Sequence, residues 1–360
     1  MKAAVCNEFG KPLEIEDVEI VPPREKQAKV RLVATAVCHS DIHDIKGELP
    51  GPLPCVTGHE SAGYVDEIGS GVTNVKVGDR VVVTLMAACG SCYFCITGRP
   101  HLCENRFANR GDVRLRNKDG VTLAPGGGVG GFAEYVVVGD NQVIKVPEGM
   151  PLDSAALLAC GVMTGFGAVV NRAQVKPFQS VAVMGLGGVG INAIQGAAYS
   201  GAYPVIAVDV LDSKTEMAKA FGATHGVNAT SEKAIDQIRD LTSGRGLDYV
   251  FVTVGNVGAI KQSISMLGPR GTSVMIGLPP IKDMLSFMPI EMIGSEKTLS
   301  GCFMGSTNIQ VDVPNLMKLY QSGQLKLDEL ITARYPLERI NEAIESTEKG
   351  EALRNVIMFE

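Results

Sequence analysis

No block of one charge sign occurs anywhere in the chain. Its 33 Lys and Arg stand against 39 Asp and Glu, a net charge of −6 spread over 360 residues. This argues against a nucleic acid or an anionic membrane as partner and leaves a small molecule as the expected one. Met1-Lys2-Ala3-Ala4-Val5-Cys6 opens no apolar stretch of signal-peptide length, and the longest apolar runs are strand-sized and broken by Gly or charge. A cytoplasmic protein, not one bound to a membrane, is therefore expected. Internal repeats and low-complexity tracts are also lacking. The length, with 45% hydrophobic residues and 42 glycines, suits two domains, since single domains run about 100–200 residues.

Cysteine is what the chain does have. In a protein read as cytoplasmic, nine cysteines, an odd number, point to metal or catalysis before disulfides. Four of them form Cys89-x2-Cys92-x2-Cys95-x7-Cys103. Four thiolates close a tetrahedral zinc at about 2.3 Å each and leave no open position, so this lobe is expected to hold shape and not to do chemistry. The chemistry must lie elsewhere.

Residues 1 to about 160 alternate short β-rich runs, such as 29–34 and 79–84, with Gly, Pro and Asp turns, which suits a compact β-rich domain. The charged, Gly-rich stretch 105–131 reads as a loop with at most a hairpin. From Ser180 onward apolar strands alternate with helical periods: 180–184, 204–208, a weak run at 225–228, 248–254, 272–276 and 298–303. Strands spaced by helices describe a doubly wound parallel sheet. The tail, with helices near 314–322 and after 336, a strand near 330–335 and an apolar run at 354–359, matches no element of such a sheet and is expected to rejoin the first domain. The domains are thus expected at 1–161 with 304–360, and at 162–303.

The strand at 181–184 feeds Gly185-Leu186-Gly187-Gly188-Val189-Gly190, and a helix-compatible run follows. That is the context the dinucleotide fingerprint requires: Gly185 for the tight turn, Gly187 for approach of the pyrophosphate, Gly190 for helix-on-strand packing. The next strand ends in Asp209, about 20 residues on, where a carboxylate accepts hydrogen bonds from an adenosine ribose. The same carboxylate repels a 2′-phosphate, and Val210 and Leu211 supply no Arg to receive one, so NAD is favoured over NADP. Lys214 either sits beside that ribose or is a solvated lysine near a helix start.

A reactive zinc needs three protein ligands and one open position. Outside the lobe stand Cys6, Cys38, Cys55, Cys160 and Cys302, with five histidines. Cys38, His59 and Cys160 form a plausible ligand triple, with buried structural cysteines as the plainer alternative. On residue type alone, Ser40 fits a turn and His43 a surface position.

Taken together, Cys38-x-Ser40-Asp41-x-His43, Gly58-His59-Glu60, the cysteine lobe, Cys160-Gly161-x-x-Thr164, the glycine fingerprint with Asp209, and Arg354 resemble the zinc-dependent medium-chain alcohol dehydrogenases over essentially the whole chain. The resemblance implies an α/β protein with a doubly wound Rossmann sheet and a GroES-like catalytic domain, two Zn2+ per chain and NAD(H). It implies that Cys38, His59 and Cys160 bind the catalytic zinc, that Glu60 is nearby as a carboxylate or transient ligand, and that Asp41 bonds the free ring nitrogen of His59. Ser40 would touch the substrate oxygen and His43 would end a proton relay through the nicotinamide ribose. His39 would lie against the cofactor pyrophosphate, and Thr164 and Arg354 would belong to the cofactor site. Leu49, Leu85, Ile276 and Leu278 would line the substrate or nicotinamide and favour hydrophobic alcohols, while His101 and His225 have no such context.

The implied reaction takes a primary or secondary alcohol, made acidic by zinc, reversibly to an aldehyde or ketone, with hydride passing to NAD. It requires the zinc and nucleotide halves to face one another across a cleft, and relatives assemble as homodimers or homotetramers. Competing readings are a thiol-adduct (formaldehyde-type) or polyol dehydrogenase of the same superfamily, a metal-free NADPH quinone or enoyl reductase, and a zinc-stabilised binding protein without turnover.

Overall fold

The computed structural model describes residues 1–49, 51–107, 112 and 114–360. The chain divides into two compact units, Met1–Gly161 with Asn308–Glu360, and Val162–Thr307. Residues 304–307, expected with the first domain, go instead with the second. There the Thr307 hydroxyl donates to the Met163 carbonyl at 3.3 Å, and Asn171 donates to the Gly305 carbonyl at 3.4 Å.

In the first unit the organising strand is Gln27–Ala36. Ala28, Val30, Leu32 and Ala34 point to one face and are fully buried, while the residues between them are only half covered until the strand's last turns. This period of two is what makes a half-buried strand, and each fully buried Val or Leu contributes about 1.5–3 kcal/mol. The strand pairs antiparallel with Glu60–Ile68, Tyr135–Gly139 and Arg354–Met358. Glu60–Ile68 in turn pairs with Arg80–Thr84.

Register places the chemistry. Ala36 pairs with Glu60, Glu60 with Thr84, and Ala36 with Val356, so four strands come level at one end of this sheet. Cys38, His59 and Arg354 therefore leave or enter neighbouring strand ends. Cys160 reaches the same end because the Thr84 hydroxyl donates to the carbonyl of Ala159 at 2.7 Å. The tail thus belongs to the first unit: Arg354–Met358 also pairs in parallel with Ile331–Pro336.

A second, five-stranded sheet includes Lys2–Val5, Glu14–Ile20 and the hairpin Leu115–Asn117 with Thr122–Pro125. That hairpin is the structured part of the stretch read as a loop; residues 108–111 and 113 of the stretch lie outside the described residues. A core including Val5, Leu123, Phe132 and Ile340 lies beneath it.

The second unit is a six-stranded parallel sheet in the spatial order His225–Asn228, Val205–Asp209, Val181–Met184, Leu247–Val252, Leu267–Met275, Thr298–Gly301. In sequence order this is 3-2-1-4-5-6, the doubly wound arrangement with its reversal beside the first strand. All six expected strands are present; that at 272–276 starts earlier, at Leu267, and that at 298–303 ends at Gly301. Among the described residues no single helix is long and apolar enough to cross a membrane.

Candidate functional site

Cys38 is the N-cap of the helix His39–Ile45, which begins as the strand Gln27–Ala36 runs out. Asp41, in the first turn, is 1% exposed and spends its carboxylate on three donors. Oδ2 accepts from the Cys38 amide at 3.1 Å, and Oδ1 from the Gly58 amide and from His59 Nδ1, both at 2.9 Å. A carboxylate there can only accept, so Nδ1 carries the hydrogen and Nε2 keeps its lone pair for a metal.

Cys38, His59, Glu60 and Cys160 are all buried, and their ligand atoms lie within 4.8 Å of one another. Ser40 stands beside them, its hydroxyl oxygen 3.7 Å from Cys38 Sγ. The electrostatics test whether a dication fits. The neighbouring Cys160 thiol, against the opposing effect of burial and with help from His59, holds the Cys38 thiol well below its ordinary value; Cys38 and burial push Cys160 well above its own. Burial opposes a charged His59, yet Asp41 and Cys38 lift its pKa well above the usual imidazole range. Burial carries Glu60 up to about 8, with Arg354 lowering it and Cys38 raising it. One thiol ionises easily because His59 and Arg354 answer its charge, and a second thiolate at Cys160 needs a further positive charge. Zn2+ would supply it and displace the proton from His59 Nε2, and two thiolate sulfurs with one imidazole nitrogen are donors it prefers.

Glu60 Oε2 accepts from Arg354 Nη2, whereas its Oε1 is buried without a hydrogen-bond partner among the described residues. Arg354 is 5% exposed, and Glu60 and Cys38 more than offset the effect of burial on its charge. The ion pair to Glu60 is an arrangement the sequence reading missed, having placed Arg354 with the cofactor.

The four lobe cysteines also converge, with ligand atoms within 4.8 Å. Amides of Cys89 and Asn105 donate to Cys103 Sγ, and that of Cys92 to Cys89 Sγ, each at 3.3 Å. Hydrogen bonds from Ser91 and Cys92 bring Cys89 down to about 6, while Cys95 goes up to about 12, chiefly through burial. Amide donors aimed at sulfur are what a thiolate metal site requires.

The other first-unit candidates are spread around this centre. His43 is half-buried and its Nδ1 bonds Glu48, a partner the sequence reading missed; only the spacing of five residues could have signalled it. His39 is exposed. Leu49 lines a cavity of about 70 Å³ together with Phe9, Pro52, Thr57 and Gly127. Leu85 is half-buried against the core that contains Val81 and Val83.

In the second unit, Gly185 has φ +89, a conformation L side chains rarely adopt, and a Cβ on Gly190 would run into the Gly185 carbonyl. A Cβ on Gly187 would meet nothing within 4 Å, so that backbone borders open space in front of the helix Gly188–Tyr199. This fits a diphosphate at a helix N-terminus. Gly188 and Val189 begin that helix. Asp209 is buried, with Oδ2 accepting from the Leu186 amide at 2.7 Å and Oδ1 from that of Leu211 at 3.1 Å. Thr253, also missed, donates to the Gly185 carbonyl at 2.6 Å and fixes the turn. Lys214 lies in the helix Asp212–Met217, Thr164 is buried in Gly161–Gly167, and Ile276 and Leu278 follow the strand Leu267–Met275, Leu278 being exposed.

Comparison with known proteins agrees with this geometry. Residues 24–148 match the alcohol dehydrogenase GroES-like domain and residues 188–322 the zinc-binding dehydrogenase domain. The chain is 39% identical over 366 residues to an NDMA-dependent alcohol dehydrogenase of Amycolatopsis methanolica, covering 99% of this chain and 98% of the relative. Among solved structures, an alcohol dehydrogenase zinc-binding domain protein from Burkholderia ambifaria superposes with a TM-score of 0.95 at 35% identity, covering 100% of this chain and 98% of that one. Benzyl alcohol dehydrogenase from Acinetobacter calcoaceticus gives 0.93 at 31%, covering 100% and 99%. A two-unit oxidoreductase with a GroES-like and a Rossmann half is thus defined. The chain belongs to the zinc-dependent medium-chain alcohol dehydrogenase family.

Proposed function

We propose that this alcohol dehydrogenase oxidises a hydrophobic primary or secondary alcohol reversibly to the aldehyde or ketone, with NAD as hydride acceptor. The single observation that carries the reading is the buried Cys38, His59, Glu60 and Cys160 cluster with Asp41 on the far nitrogen of His59. When bound, zinc contributes Lewis acidity and NAD accepts a hydride.

Cys38, His59 and Cys160 would hold the catalytic ion and Cys89, Cys92, Cys95 and Cys103 a second, structural one. Ser40 takes the proton from the substrate hydroxyl and His43 carries it to solvent. Glu60, held by Arg354, keeps a compensating carboxyl beside the ligands. Gly185 to Gly190 and Thr164 receive the nucleotide, and Asp209, with Lys214 in the next helix, its ribose. The carboxylate at 209 supports NAD over NADP; His39 would serve the diphosphate, while Arg354, expected from the resemblance at the cofactor site, is committed to Glu60. Leu49, Leu85, Ile276 and Leu278 supply apolar walls for the substrate.

Exposed Ile281, Met284, Met288, Ile290 and Ile293, near the edge strand Thr298–Gly301, support a homodimer or homotetramer. Nine unbridged cysteines support the cytoplasm as its compartment.

The test is absorbance of NADH from purified protein with primary, secondary and aromatic alcohols, with and without a zinc chelator. NDMA is added as acceptor in a parallel series, because the relative from Amycolatopsis methanolica is named for it. Chelator-sensitive NADH formation supports the reading. Turnover with NDMA alone would replace free NAD as the acceptor, and silence in both series would overturn the proposed activity.

A further inference from the structure

The helix His39–Ile45 ends two residues after His43, and the chain doubles back so that the Glu48 amide donates to the His43 carbonyl at 2.9 Å. The same turn brings Glu48 Oε2 onto His43 Nδ1. The ring is 30% and the carboxylate 42% exposed, so the pair bridges the helix surface and solvent. The other charged groups around it are His39 and Asp44 on the helix itself and Lys46 just beyond it. Lys46 is bonded to Glu348 of the packed helix Ile340–Glu348. Glu8 comes from the N-terminal segment, whose Phe9 ring lies against Gly47; the packed turn Gly126–Gly128 brings no charge.

We propose that Glu48 is a positioning residue for proton transfer: it fixes His43 as the tautomer with hydrogen on Nδ1 and leaves Nε2 free to accept the proton released from the alcohol. This rests on the reading of His43 as the solvent end of the relay. A carboxylate only accepts, so Nδ1 must donate. In the oxidation the O–H bond of the alcohol breaks and its proton goes to the Ser40 hydroxyl, which gives up its own proton along the relay to Nε2; the bound coenzyme would take up the carbinol hydrogen as hydride. The imidazolium so formed bears its charge beside the Glu48 carboxylate and then gives its proton to water. Without that carboxylate the ring turns more freely and samples the wrong tautomer.

The experiment compares Glu48→Gln, Glu48→Asp and His43→Gln in the full-length protein, reading kcat against pH for alcohol oxidation at saturating coenzyme, with KM and thermal stability alongside. For Glu48→Gln the plateau kcat is expected to fall about three- to tenfold, with KM and stability little changed. Glu48→Asp is expected to recover part of the rate, and His43→Gln to be slower than either. If His43→Gln is slow while Glu48→Gln superimposes on the wild-type profile, the role of Glu48 is wrong and the relay stands. If His43→Gln itself leaves rate and profile unchanged, the relay reading falls and the role of Glu48 with it. A loss of stability in Glu48→Gln with no fall in kcat, or a fall that Glu48→Asp does not partly restore, would assign Glu48 to the fold alone and overturn the proposal.

Discussion

Asp41 and His59 are joined by a buried bond of 2.9 Å between Oδ1 and Nδ1, and the same oxygen takes the amide of Gly58, the residue before the histidine. Ring and backbone are therefore fixed by one atom. Replacing Asp41 with Asn keeps the size but leaves one oxygen for three donors, so its NH2 must face either the Cys38 amide or the pair from Gly58 and His59. Zinc affinity is expected to fall about 10- to 100-fold, measured by competition with a chromophoric chelator. Unchanged affinity would mean that ring orientation is set elsewhere.

Cys160 follows the short helical segment Leu157–Ala159 and supplies the third proposed ligand. The Cys160→Ala protein is expected to carry one zinc fewer by elemental analysis. Its kcat/KM should fall at least about 100-fold for want of the Lewis acid. NADH binding, followed by the change in its fluorescence, should persist. Full turnover would remove Cys160 from the ligand set.

The Asp209 carboxylate is anchored by two amides and cannot easily swing away from a 2′-phosphate. Asp209→Gly is expected to raise the NADP to NAD ratio of kcat/KM by about tenfold or more, through loss of both the ribose acceptor and the repulsion. An unchanged ratio would show that this side chain does not face the ribose.

Asp248 links two strands of the parallel sheet. It accepts from the amide and hydroxyl of Ser180 at 2.8 Å each and from Arg245 at 2.6 and 3.0 Å. Burial raises its pKa, but Arg245 and Ser180 more than reverse this, so the folded value is depressed. Its stabilisation is accordingly complete above the unfolded value of about 3.9 and disappears as pH falls through the folded one. At neutral pH Asp248→Asn is expected to cost about 1–3 kcal/mol in urea unfolding. Below about pH 4 the gap between variant and wild type should close; a constant gap would rule out the charge as the cause.

The Rossmann strands were legible because each is an apolar run cut off by a turn, and the parallel sheet follows from their alternation with helices. The cysteine lobe was legible for a simpler reason: its ligands fall within one local stretch, where spacing is geometry. The bond between Glu60 and Arg354 joins positions 294 residues apart and exists only because two strands meet level at Ala36. Nothing local announces such a partner. Residue type likewise allowed His43 to be inert, and the turn that supplies Glu48 is visible only once the backbone closes. Residues 304–307 went to the second unit through hydrogen bonds to Met163 and Asn171, contacts that no hydropathy pattern encodes.

The strand Arg354–Met358 has an implication for synthesis on the ribosome. It adds to a sheet whose other members lie mainly before residue 146, while all of 162–307 is made in between. Chains emerge at about 5–20 residues per second, so the nascent first unit waits on the order of ten seconds or more for its missing strand. Until then Glu60 has no guanidinium and residues 34–36 at the end of the Gln27–Ala36 strand lack their partner. The second unit can close first, and the Cys38, His59, Glu60 and Cys160 cluster gains its Glu60–Arg354 bond only when residue 354 arrives.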